Sequence, residues 1–122
     1  MGNKIKLGVI GDPIDHSLSP LIHSQFGEEL GINLEYKPYH VVDSELDNFI
    51  KNFFANGGFG LNVTLPHKLN CIRSADILSS EVELLGAANT LSKNSNNQII
   101  ASSTDGLGLI RDCFEKKIEI TD

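Results

Sequence analysis

Cysteine is scarce in this sequence, basic residues are outnumbered, and no stretch stays apolar for long. Only Cys71 and Cys113 occur; they are far apart and neither belongs to a Cys-x-x-Cys pair, so a zinc site or redox motif has no support. Two buried, reduced thiols are the expectation. Ten Lys and Arg face sixteen Asp and Glu, for a net charge of -6, which argues against a general nucleic-acid surface. An anionic ligand must therefore be held by local donors. No apolar run approaches the length of a bilayer span, and the first strand-like run follows the N-terminus without a signal-peptide pattern. A cytoplasmic protein with no membrane partner is expected.

Two further absences concern ligands. His16, His23 and His67 lack the i, i+4 spacing of a helical metal pair, and Asp12, Asp15 and His16 are too close together to encircle an ion alone. No metal is expected. Gly58-Phe59-Gly60 starts like a dinucleotide fingerprint but runs into a strand and lacks the third glycine. Nothing here cradles a pyrophosphate.

What remains is an ordinary globular chain of 122 residues, 40% hydrophobic and 21% charged, the size of one domain. It contains no internal repeat and no linker. Residues 4–11 alternate and then turn apolar, as a strand does on entering a buried sheet. Ser19-Pro20 opens a helix carrying Ile22, Phe26 and Leu30, which Gly31 stops. Leu34 to Val42 reads as a second strand, placed at a sheet edge beside strand one because Pro38 cannot donate to a ladder. Asp43 or Ser44 should cap the next helix, whose Leu46, Phe49, Ile50, Phe53 and Phe54 form an apolar stripe ended by Asn56-Gly57-Gly58.

Phe59 to Thr64 is a third strand, and Pro66 opens a short helix. Ala87 to Ser92 and Gln98 to Ser102 are strands around the Asn-rich turn 93–97, paired as an antiparallel hairpin. A closing helix begins at Thr104 or Asp105 and turns Leu107, Ile110 and Phe114 inward. The fold class is α/β: a mostly parallel sheet flanked by helices on both faces, a three-layer sandwich with one edge strand and a hairpin.

Ligands of open α/β sheets gather outside the carboxyl ends of the strands. Ser17 and Ser19 follow strand one beside a helix N-terminus, where free N–H groups favour a carboxylate, although Ser19 also serves as the helix cap. Lys68 falls in the first turn of the helix opened by Pro66, facing the positive end of its dipole, so that a compensating carboxylate is expected if it is not simply a surface lysine. Asp105 suits an N-cap, and Asn89, placed in a strand, could satisfy backbone groups.

Four blocks occur in order: Pro13-Ile14-Asp15-His16-Ser17-Leu18-Ser19-Pro20-Leu21-Ile22-His23, Gly60-Leu61-Asn62-Val63-Thr64-Leu65-Pro66-His67-Lys68, Gly86-Ala87-Ala88-Asn89-Thr90 and Ser103-Thr104-Asp105-Gly106. Together they resemble the signature blocks of shikimate dehydrogenases, over essentially the whole chain. The resemblance implies the substrate-binding domain of enzymes that reduce 3-dehydroshikimate to shikimate with NADPH in aromatic amino acid biosynthesis. It implies a second, NADP-binding domain outside residues 1–122.

By the same resemblance Ser17 and Ser19 bind the substrate carboxylate, while Thr64, Lys68, Asn89 and Asp105 contact ring hydroxyls and Asn62 supports them. Lys68 is the implied proton donor and Asp105 its orienting carboxylate. Two positions depart from the family pattern: Ser103 stands where Asn is usual, and Ala88 where Val is common. Monomer and homodimer both stay open, as do a quinate-active relative and a freestanding shikimate- or quinate-binding module without hydride chemistry.

Overall fold

The computed structural model describes residues 5–12, 34–64 and 66–103. The expected helix over 19–30 and the closing helix lie outside them. Among the described residues six strands form one sheet: β1 Ile5–Gly11, β2 Leu34–His40, β3 Gly58–Val63, β4 Ile77–Leu78, β5 Thr90–Lys93 and β6 Ile99–Ser102, in the order β2-β1-β3-β5-β6-β4. β1 lies parallel to β2 and β3, and β4 parallel to β6, while β5 is antiparallel to both neighbours. Every strand except β5 thus points one way. The mostly parallel α/β sheet is as expected, with β2 at the edge beside β1 and Pro38 opposite Val9.

β1 is central enough to be covered on both faces. Leu7 and Val9 are buried on one side and Ile10 on the other, since successive side chains alternate. On the Ile10 side lies α1, Leu46–Ala55. Its stripe behaves as the spacing demands: Leu46, Ile50, Phe53 and Phe54 are buried, and Phe49 packs against the same cluster. Phe53 also rests on the backbone of Gly58, where any Cβ would run into the Phe53 ring.

The entrance to α1 differs from expectation. A 3-10 turn, Asp43–Glu45, precedes it, and neither turn nor helix has a side-chain cap. Asp43 is occupied elsewhere, accepting a hydrogen bond from Asn70 Nδ2 at 2.9 Å. The helix expected after Pro66 is also different: residues 66–69 form a turn, followed by a 3-10 helix, Asn70–Ser74.

Two elements were not anticipated, β4 and α2, Ser80–Leu85. β4 is two residues long, and α2 buries only Val82, so neither leaves a periodic trace. Its ends do carry a signal. Ser79 accepts the Val82 N–H at 3.2 Å, and Gly86 closes the helix at φ 71° with its N–H on the Val82 carbonyl, the pairing of Ser start and Gly stop that helix ends favour.

The hairpin of β5 and β6 is as expected, and its turn shows why asparagine is abundant there. Asn94 Oδ1 accepts from the N–H groups of Asn96 and Gln98, both at 2.9 Å. Asn97 takes φ 60°, a left-handed conformation that Asn tolerates better than most residues.

Candidate functional site

Because β5 runs against its neighbours, its first residue meets the carboxyl ends of β3 and β6. Asn89 lies just before β5, not within a strand as expected, yet its backbone continues both ladders. Its carbonyl accepts from Val63 N–H at 2.8 Å and its N–H donates to the Ser102 carbonyl at 3.2 Å. Those bonds pull the Asn89 side chain to the edge where β1 and β3 also end.

Thr64 follows β3 and ties it back to β1. Its N–H and its hydroxyl donate to the same Ile10 carbonyl, at 2.9 and 3.1 Å. The chain then turns, with His67 N–H on the Thr64 carbonyl at 3.0 Å. His67 is fully buried, its Nε2 bonded to the Val41 carbonyl just past β2 and its Nδ1 without a partner among the described residues. Lys68 comes next, exposed, but its carbonyl accepts Ala88 N–H at 2.9 Å. The backbone of Lys68 is therefore clamped one residue away from Asn89.

This geometry corrects the argument made for Lys68 from the helix dipole. Lys68 precedes the 3-10 helix that begins at Asn70, and so short an element has little aligned dipole to oppose a cation. Among the described residues no carboxylate pairs with its ammonium; the ion pairs are Lys37–Glu35 and Lys51–Asp47, and Asp12 is hydrogen-bonded to His40. Cys71, behind this turn, is buried with its Sγ near the carbonyls of Lys68 and Ala88. Burial pushes its thiol up to about 11, which leaves it a packing residue.

Asn62 lies on β3 on the face away from α1, in register with Val9 of β1 and Thr90 of β5. Its Nδ2 donates to Thr90 Oγ1 at 3.4 Å, and the Thr90 hydroxyl donates to Asn89 Oδ1 at 3.1 Å. On its other side, Asn62 Oδ1 accepts from the Tyr36 hydroxyl at 2.7 Å. Burial pushes the Tyr36 phenol far above its ordinary value, so it stays neutral.

Tyr36 was not singled out from the sequence. A tyrosine in register with inward-facing Leu7 is the available signal, because a buried phenol needs a partner for its hydroxyl. Thr90, 2% exposed, was likewise passed over. The structure brings Asn62, Thr64, Lys68 and Asn89 to one end of the sheet. Ser17, Ser19 and Asp105 lie outside the described residues. Of the two departures, Ala88 is buried and contributes its N–H to Lys68, a bond that any residue but proline could make, and Ser103 is exposed after β6.

A mostly parallel α/β sheet with two amides, a hydroxyl and an ammonium at its carboxyl edge defines a domain of the small-ligand class, with its polar groups where such sheets hold ligands. More narrowly, the chain belongs to the family of the shikimate dehydrogenase substrate binding domain, whose model matches residues 9–91. It is similar to shikimate dehydrogenase (NADP(+)) of Buchnera aphidicola subsp. Cinara cedri, 44% identical over 109 residues, covering 89% of this chain and 39% of that protein. The enzyme of the same name from Legionella pneumophila Philadelphia 1 is 44% identical over 117 residues, covering 96% of this chain and 43% of its own length. Among solved structures, shikimate 5-dehydrogenase of Listeria monocytogenes, in complex with shikimate and NAD, superposes with a TM-score of 0.80 at 35% identity over 96% of this chain and 40% of that one. The chain thus spans about two fifths of the length of the relatives it matches. No described helix is long and apolar enough to cross a membrane.

Proposed function

We propose that residues 1–122 are the substrate-binding and catalytic domain of an NADP-dependent shikimate dehydrogenase, acting on shikimate and 3-dehydroshikimate beside a cofactor domain on another stretch of polypeptide. The observation that carries this is the convergence of Lys68, Asn62 and Asn89 at the strand ends of a domain of this family. Shikimate offers the matching groups, a carboxylate and ring hydroxyls. In this reading Ser17 and Ser19 receive the carboxylate, and Thr64, Asn62, Asn89 and Asp105 hold the hydroxyls. Lys68 gives a proton to the carbonyl oxygen during reduction and takes it back in the reverse direction, with Asp105 orienting it.

The described residues do not suit a dinucleotide. Gly58 and Gly60 are the first and third residues of β3, in a strand with no helix N-terminus for a pyrophosphate. In this reading the contribution of this chain is to the substrate and the proton.

Titration of the 15N-labelled chain with shikimate tests the placement. Resonances of Thr64, Lys68, Asn89 and Thr90 should move. Shifts confined to the hairpin turn 94–98, at the other end of β5 and β6, would contradict it.

A further inference from the structure

Tyr36 and Asn62 are separated by a whole strand. Tyr36 is on β2, Asn62 is on β3, and β1 runs between them. With about 4.8 Å between neighbouring strands, only a long side chain can reach from one to the other across the face of β1. A phenylalanine would bury a ring of the same shape. The hydroxyl is explained by Asn62 Oδ1, at 2.7 Å.

The donors beyond this contact all run one way. A threonine hydroxyl has one hydrogen, and that of Thr90 is directed at Asn89 Oδ1. Thr90 Oγ1 accepts from Asn62 Nδ2, and Asn62 Oδ1 accepts from Tyr36. Turning the Asn62 amide over would set Nδ2 against the phenol and Oδ1 against a threonine lone pair. The row thus runs Tyr36 to Asn62 to Thr90 to Asn89. Each amide spends its oxygen inside the protein, and the second Nδ2 hydrogen of Asn62 and both of Asn89 have no acceptor among the described residues.

We propose that Tyr36 is a positioning residue, which locks the amide of Asn62 and, through Thr90, that of Asn89 so that both turn N–H groups toward the ligand. The ligand atoms they meet are then oxygen acceptors, such as the lone pairs of ring hydroxyls. The ligand's place rests on the function proposed above; the amide polarity rests on the row itself.

The test is a shikimate titration of the chain and its Tyr36→Phe, Asn62→Ala and doubly substituted variants, followed by 15N side-chain and backbone spectra. Tyr36→Phe should keep the backbone spectrum of β1 and β3, shift the Asn62 side-chain NH2 pair, and weaken shikimate binding about 3- to 10-fold, the range of one lost hydrogen bond. In the Asn62→Ala background the same substitution should weaken binding by less than about 1.5-fold, because the group it positions is gone. An equal loss in both backgrounds would mean that Tyr36 acts only through packing, and would overturn the proposal. If the parent chain does not bind shikimate at all, the functional reading fails, and the Asn62 NH2 pair still decides the rest. An unmoved pair in Tyr36→Phe overturns the positioning role.

Discussion

At Lys68 the backbone is held and the side chain is not: the carbonyl is tied to Ala88 while the ammonium reaches solvent. Such an arrangement keeps the group in place without committing its charge to a protein carboxylate among the described residues. In an enzyme completed by fusing a compatible cofactor domain, Lys68→Ala should lower kcat about 10²- to 10⁴-fold with a much smaller rise in KM, because the interaction strengthens only in the transition state. Near-normal kcat in steady-state assays would return Lys68 to the surface residues. Cys71 gives a second outcome at this scale. Buried, and with its thiol pushed up to about 11, it should react with a thiol reagent at pH 8 only as fast as the chain opens. Mass spectrometry of the Cys71 peptide, with and without denaturant, measures this; equal labelling in both would contradict its burial.

Between elements, small polar contacts decide how the pieces meet. Ser74 donates to Asp47 at 2.7 Å, joining the 3-10 helix after the Lys68 turn to α1. The Ser74 hydrogen bond, and then Lys51, hold the Asp47 carboxyl below its ordinary value. A carboxyl lowered in the folded state stabilises it above the ordinary carboxylate range, and the contribution is lost as pH falls through the lowered value. Ser74→Ala should therefore reduce the difference in melting temperature between pH 6 and pH 3, a modest effect because the Asp47 carboxyl is exposed. A second outcome concerns Gly86, at φ 71°. Gly86→Ala should cost about 1 kcal/mol in urea unfolding, and a neutral result would mean that this backbone conformation is not required. The sequence makes α1 legible through its stripe, and the β5–β6 hairpin through its asparagines. It hides α2, whose single buried residue gives no period, and β4, too short for alternation. The cap expected at Asp43 or Ser44 is absent, and the Asp43 side chain is taken by a distant partner, Asn70.

For the molecule as a whole, a domain of this family without a dinucleotide cradle in its described residues should fold alone yet leave NADP unreduced. Incubating the purified chain with shikimate and NADP and following absorbance checks this; robust reduction by uncontaminated chain would refute the two-domain reading. The residues proposed for the site were legible to the extent that chemistry clusters in short motifs, as with Asn62, Thr64 and Lys68. Tyr36 was not, because its role depends on strand order, which brings residue 36 within 2.7 Å of residue 62 across a third strand. Strand direction has a practical consequence too. β5 and β6, four residues each, carry their connecting turn roughly 13 Å along the sheet from the edge where Asn89 sits. That turn is thus a handle: a fluorophore or affinity tag spliced between Ser95 and Asn96 would report on the domain while leaving the Asn89 end of the sheet untouched.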